Sequence, residues 1–169
     1  MVATVTAKNL ILFEDETAKL VLSGATLHTA ATGLELTKGK ILIKEHSHLS
    51  SDITTTQDGF GEDVIIDEGI IFGDGNSDND FVCEIATGVT LEVSEGSLVY
   101  RNVLGSSWIM HQSKLFMNND SNLYLYQNLN LGDGTMGFGY NNMLYRSIGK
   151  NITGSITSVG SIKYGSLPG

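Results

Sequence analysis

The chain has 169 residues, a formal net charge of −9 and only 17% charged residues. An acidic balance repels phosphate backbones, so nucleic acid is not an expected partner. Cys83 is the single cysteine, which excludes an intrachain disulfide.

The chain is long enough for one domain with a sizeable core. With 20 Gly against 1 Pro, the composition suits many tight turns between strands. No stretch reaches the roughly 18 apolar residues of a membrane span, and Met1-Val2-Ala3-Thr4 begins no signal peptide. Charge is unevenly placed. From Glu45 to Tyr100 there is no Lys or Arg, and that interval holds 13 of the 19 acids. After Asn102 the only acids are Asp120 and Asp133, against Lys114, Arg146, Lys150 and Lys163.

No amphipathic helix is expected, because helical spacing of apolar residues never lasts beyond about two turns. Short alternating or apolar runs dominate instead. In chain order they are Asn9–Phe13, Lys19–Leu22, Ala25–Thr29, Leu34–Thr37, Ile41–Lys44, Val64–Ile66, Ile70–Phe72 and Phe81–Ile85. Then follow Val89–Val93, Leu98–Arg101, Ser107–Met110, Lys114–Met117, Asn122–Tyr126, Met143–Ile148, Asn151–Thr157 and Ile162–Tyr164. Gly, Asn, Asp or Ser separates most of them, which is the strand-and-turn signature. In Phe81–Ile85 alternation puts Cys83 on the face of Phe81 and Ile85, where a small buried hydrophobe is expected. The stretch Gly132–Tyr140 has no clear periodicity and reads as a turn-rich loop or the start of a terminal cap.

One unit recurs. Residues 34–44 read Leu-Glu-Leu-Thr-Lys-Gly-Lys-Ile-Leu-Ile-Lys, and residues 91–101 read Leu-Glu-Val-Ser-Glu-Gly-Ser-Leu-Val-Tyr-Arg. A weaker copy runs from Val64 to Phe72. The turn glycines Gly39, Gly69 and Gly96 are spaced by 30 and 27, and a degenerate copy at Leu115–Asp120 follows about 24 residues after Gly96, a period of 24–30 that is close to one coil of a stacked β architecture. The expected fold is therefore all-β, a parallel β-solenoid or β-helix of about six or seven irregular coils. It is read as one domain over 1–169, with 132–169 as a C-terminal cap. Longer coils should carry their extra residues as loops, at Ser50–Asp63 and Gly73–Asp80. The alternative is an antiparallel jelly-roll sandwich, which short strands and turns also fit.

The stretch Thr26–Lys44, with Leu27-His28-Thr29-Ala30-Ala31-Thr32-Gly33-Leu34-Glu35-Leu36-Thr37-Lys38-Gly39, resembles repeat units of large bacterial β-solenoid surface proteins. Gly73-Asp74-Gly75-Asn76, Val89–Val93 and Tyr100-Arg101-Asn102 are similar to the later part of such units. The resemblance covers roughly residues 9–131 and carries no catalytic motif. It implies a fold and a surface role.

Candidate chemistry is sparse. Asp74, Asn76, Asp78 and Asp80 alternate in a polar loop and could wrap Ca²⁺, although the EF-hand pattern fails at Asn79 and Ile85. His46 and His48 would share one strand face, which is half a metal site, and no third ligand is evident. Glu35 and Glu92 hold matching places in the two best repeats, and paired carboxylates are what glycoside chemistry needs. Nucleophile elbows and phosphate loops are absent. Tyr124, Tyr126, Tyr140 and Trp108 are candidate contact residues, since aromatics stack on sugars and anchor interfaces; core burial of Trp108 competes with that role.

The expected function is structural or adhesive: a repeat segment of a secreted or cell-surface protein, located outside the cell. It would bind partner proteins or glycans or self-associate, and calcium is the only cofactor suggested. The enzymatic alternative is a β-helix carbohydrate-active enzyme, a polysaccharide lyase or hydrolase.

Overall fold

The computed structural model describes residues 3–7, 11–13, 15–29, 34–36, 39–43, 47–51, 70–72, 81–93, 96–100 and 107–167. Every regular element among the described residues is a β-strand. The first coil supplies β1 (Ala3–Ala7), β2 (Ile11–Leu12) and β3 (Lys19–Leu22). The second supplies β4 (Ala25–Thr29), β5 (Leu34–Leu36) and β6 (Gly39–Ile43). The third supplies β7 (Ser47–Ser51), β8 (Ile70–Phe72) and β9 (Phe81–Ile85), and the fourth β10 (Thr90–Val93), β11 (Gly96–Tyr100) and β12 (Ser107–Met110). Beyond these come β13 (Lys114–Met117), β14 (Ser121–Leu125), β15 (Leu129–Phe138), β16 (Asn142–Arg146), β17 (Ile152–Val159) and β18 (Ile162–Ser166).

Each strand pairs in parallel with its equivalent one coil away. Sheet A runs β1-β4-β7-β10-β13-β15-β17, sheet B runs β2-β5-β8-β11-β14-β16-β18, and sheet C runs β3-β6-β9-β12. The protein is a parallel β-solenoid, and the antiparallel sandwich is excluded because all these ladders are parallel. The expectation of a loop at Gly132–Tyr140 is corrected: β15 runs through most of it. Its first residues pair with Ile152 and Thr153, and its last with Ser155 to Val159, across two register shifts.

The core is a set of side-chain columns. Sheet A contributes Val5, Leu27, Leu49, Val93, Met117, Phe138 and Val159 in register. Sheet B contributes Ile11, Leu34, Ile70, Leu98, Leu123, Leu144 and Tyr164. Sheet C adds Leu20, Ile41, Cys83 and Trp108. The middle members of these columns are buried. Strand alternation produces this, since residues i and i+2 point to the same side. Burying each Leu or Ile contributes about 1.5–3 kcal/mol. Phe72, Phe81, Tyr100 and Trp108 form an aromatic group with ring centroids 5.8–6.2 Å apart.

Register corrects the phase of the repeat. Leu34 pairs with Ile70, which pairs with Leu98, whereas Leu91 pairs with Ser47 and Leu115. Within 34–44, β5 thus belongs to sheet B and β6 to sheet C, whereas within 91–101 β10 belongs to sheet A and β11 to sheet B. Both encode two successive strands, but of different pairs of sheets. Through most of the column, partners in adjacent coils lie 20–25 residues apart, shorter than the expected period. The third copy's turn at Gly69 and the two expected excursions lie outside the described residues, apart from Ser50 and Ser51 in β7.

Candidate functional site

The corner between sheets C and A is built from left-handed residues repeated coil after coil. Gly88 (φ 73°), Gln112 (φ 49°) and Gly132 (φ 56°) take that conformation in three successive coils. Backbone bonds join the layers: Gly88 N–H donates to Gln112 O (3.2 Å), Lys114 N–H to Val89 O (2.9 Å) and Thr135 N–H to Ser113 O (2.9 Å). Gln112 N–H also donates to Asp133 Oδ1 at 3.2 Å. This geometry leaves a groove of about 240 Å³ lined by Gly88–Thr90, Gln112–Lys114, Asp133 and Thr135.

Thr90, Lys114 and Thr135 stack in register along it. Two residues further along the same strands, Glu92, Phe116 and Gly137 form the neighbouring outward column. An added Cβ at Gly137 would sit 2.5 Å from Ser158 Oγ and 3.0 Å from both Phe116 Cδ2 and Lys114 Cε, so the edge of the Phe116 ring lies against this glycine. Lys114 Nζ is 5.1 Å from the centroid of that ring. Glu92 accepts a hydrogen bond from Asn118 Nδ2 (2.5 Å) and lies 3.3 Å from His48 Nε2. The result is a groove of mixed polar and apolar lining with a half-buried aromatic ring and a cation at its rim. Chemically, it can offer hydroxyls, an amide, a carboxylate and an ammonium group to a hydroxylated ligand.

A second polar cluster decorates sheet C. Glu84 accepts from Lys40 Nζ (2.5 Å) and contacts His111 Nε2 at 3.0 Å. The Lys40 bond, and after it the His111 bond, hold the Glu84 carboxyl below the usual glutamate range.

The aromatic candidates do not converge. Tyr124 is corrected to a packing residue: it has no exposed surface and packs with Val99, Tyr145 and Leu167. Alternation does turn it outward, but neighbouring side chains cover it. Tyr126 is half-buried against the same group. Trp108 is also corrected: its ring belongs to the inward column with Cys83, and its buried Nε1 has no hydrogen-bond partner. Tyr140 is 67% exposed, at the corner between sheets A and B and away from the groove. Asp74, Asn76, Asp78 and Asp80 lie outside the described residues, as does His46.

Glu35 and Glu92 are not a pair. Glu35 sits on sheet B beside Leu12 and Ile71, and Glu92 on sheet A beside His48 and Phe116. Among the described residues no group of three His, Cys, Asp or Glu side chains could hold a metal ion. Among them, too, no helix is long and apolar enough to cross a membrane.

Sequence reading passed over Phe116, Thr90, Lys114 and Thr135. The available signal was the alternation in Lys114–Met117, which puts Lys114 and Phe116 on one face and Leu115 and Met117 on the other. Comparison with family models, with curated proteins and with solved structures yields no match for this chain.

Proposed function

We propose that the protein is an adhesive β-solenoid segment of a secreted or cell-surface protein, of bacterial type, that holds glycan chains on the outer face of sheet A. The observation that supports this reading is the half-buried Phe116 ring, whose edge lies against Gly137 beside the groove. Saccharides combine C–H faces that stack on aromatic rings with hydroxyls that need hydrogen-bond partners. Thr90, Gln112, Lys114, Asp133 and Thr135 offer such partners along the groove. A rigid column of ladders presents them without ordering cost at the moment of binding.

The test is titration calorimetry with neutral and uronate oligosaccharides. Phe116→Ala should weaken binding by about tenfold, the order of one aromatic contact. Lys114→Met should weaken uronate binding more than neutral binding. Unchanged affinity in both variants, or no saccharide bound at all, would refute the reading.

A further inference from the structure

We propose that a second copy of this chain docks end to end on the first, its β1 and β2 continuing the sheets that end at β17 and β18. This does not depend on the saccharide reading.

The two outermost strands of sheet A are unguarded edges. β1 reads Ala-Thr-Val-Thr-Ala and β17 reads Ile-Thr-Gly-Ser-Ile-Thr-Ser-Val, with exposure along nearly their whole length. Neither holds a charge or a proline, the usual devices that stop strand edges from pairing. Their Thr, Val and Ile content favours pairing.

The core columns are also open at both ends. Val5 is 56% exposed at one end of the sheet A column and Val159 is 56% exposed at the other, while the members between them are 0–5% exposed. In sheet B the column ends at Tyr164, 67% exposed, and at half-buried Ile11. Placing Val5 of the incoming copy over Val159, and its Ile11 over Tyr164, continues both columns at the strand spacing of about 4.8 Å.

Charge at one corner fits the same arrangement. A groove of about 180 Å³ where the chain leaves sheet B after β16 is lined by Arg146, Ser147, Lys150 and Ser166. Where the chain leaves sheet B in the first coil, between β2 and β3, Asp15 and Glu16 are exposed. End-to-end stacking therefore brings acids toward cations. Because all ladders are parallel, the contact is head to tail and does not close, so it adds copies in a line.

The decisive experiment is cross-linking with single cysteines. Adjacent strands put Cα atoms within the 4.4–6.8 Å range of a disulfide, whereas Val5 and Val159 of one chain are about 29 Å apart across six strand spacings. An oxidised equal mixture of Val5→Cys and Val159→Cys chains should give a disulfide dimer, and each variant alone should stay monomeric. Fully buried Cys83 does not contribute. Wild-type protein should show a sedimentation coefficient that rises with concentration, and Val159→Lys should remove that rise. No cross-link in the mixture together with a concentration-independent monomer would overturn the proposal. So would a Val5→Cys dimer formed alone. The same monomer results hold if the ends are instead covered by further coils of a longer chain.

Discussion

The rings of Tyr124 and Tyr145 stack 5.1 Å apart and 11° from parallel on the outside of sheet B. They are register partners on β14 and β16, and the next position in the column is Gly165 on β18. A Cβ on Gly165 would fall 2.2 Å from both Cδ1 and Cε1 of Tyr145. The glycine therefore leaves room for a ring.

Gly165→Ala is expected to lower stability by about 1–3 kcal/mol, the usual range for overpacking. Urea denaturation measures it. Tyr145→Ala in the same chain should cancel most of the added cost of the Gly165 change, since the clash goes with the ring. Strictly additive effects would show that the ring is not the obstacle.

Glu84 should make stability fall in acid. Lys40 and His111 depress its folded pKa below the ordinary value near 4.5, so the carboxylate form is the one that folding favours. Its contribution is fully present above the unfolded pKa and is lost as pH falls through the folded pKa. Melting curves between pH 6 and pH 3 should therefore fall less steeply in Glu84→Gln than in the wild type. Parallel curves would remove Glu84 from the explanation.

Cys83 should be inert until the fold opens. It is fully buried between Ile41 and Trp108 in its column, and burial pushes the thiol pKa well up. Thiolate is the reactive form, so a thiol reagent should label the native protein slowly and the urea-unfolded protein at once. Rapid labelling without denaturant would mean that this part of the column opens readily.

Asn142 ties a corner together. Its Nδ2 donates to Asn118 O (2.6 Å) and to Ser121 O (2.9 Å), with its side chain 1% exposed. Asn142→Leu keeps the branched shape but takes the amide donor away from Ser121 O, an expected loss of about 1–3 kcal/mol, while Asn118 O keeps the Ser121 hydroxyl at 2.6 Å. Denaturation at an unchanged m-value is the check, and a loss below about 0.5 kcal/mol would show that Ser121 O finds another partner.

The solenoid was legible because its physics is local. Alternation in segments such as Phe81–Ile85 states which side chains go inward, and the burial of Phe81, Cys83 and Ile85 follows it. Phase was not legible. The units at 34–44 and 91–101 look alike because any tight corner between two apolar strands asks for the same sequence, whichever sheets it joins. Reading them as equivalent aligned Glu35 with Glu92 and lengthened the period. The site was less legible still. Tyr124 faces outward as alternation predicts, yet outward is not exposed when Val99, Tyr145 and Leu167 pack beside it. Phe116 gained its setting from Gly137, which comes from the next coil and carries no mark in the local sequence.

Leu49 and Val93 are direct neighbours in sheet A although 44 residues separate them, against 22 for Leu27 and Leu49. Doubling a connection costs only about 0.6 kcal/mol of closure entropy. The ladder closes over the long coil and the short one alike, because register is set by the inward columns and not by the length of chain between them. Such a shaft can accept foreign segments at a corner. A peptide of some twenty residues grafted between two of its rungs should be carried on the side of the column while the rungs above and below keep their pairing.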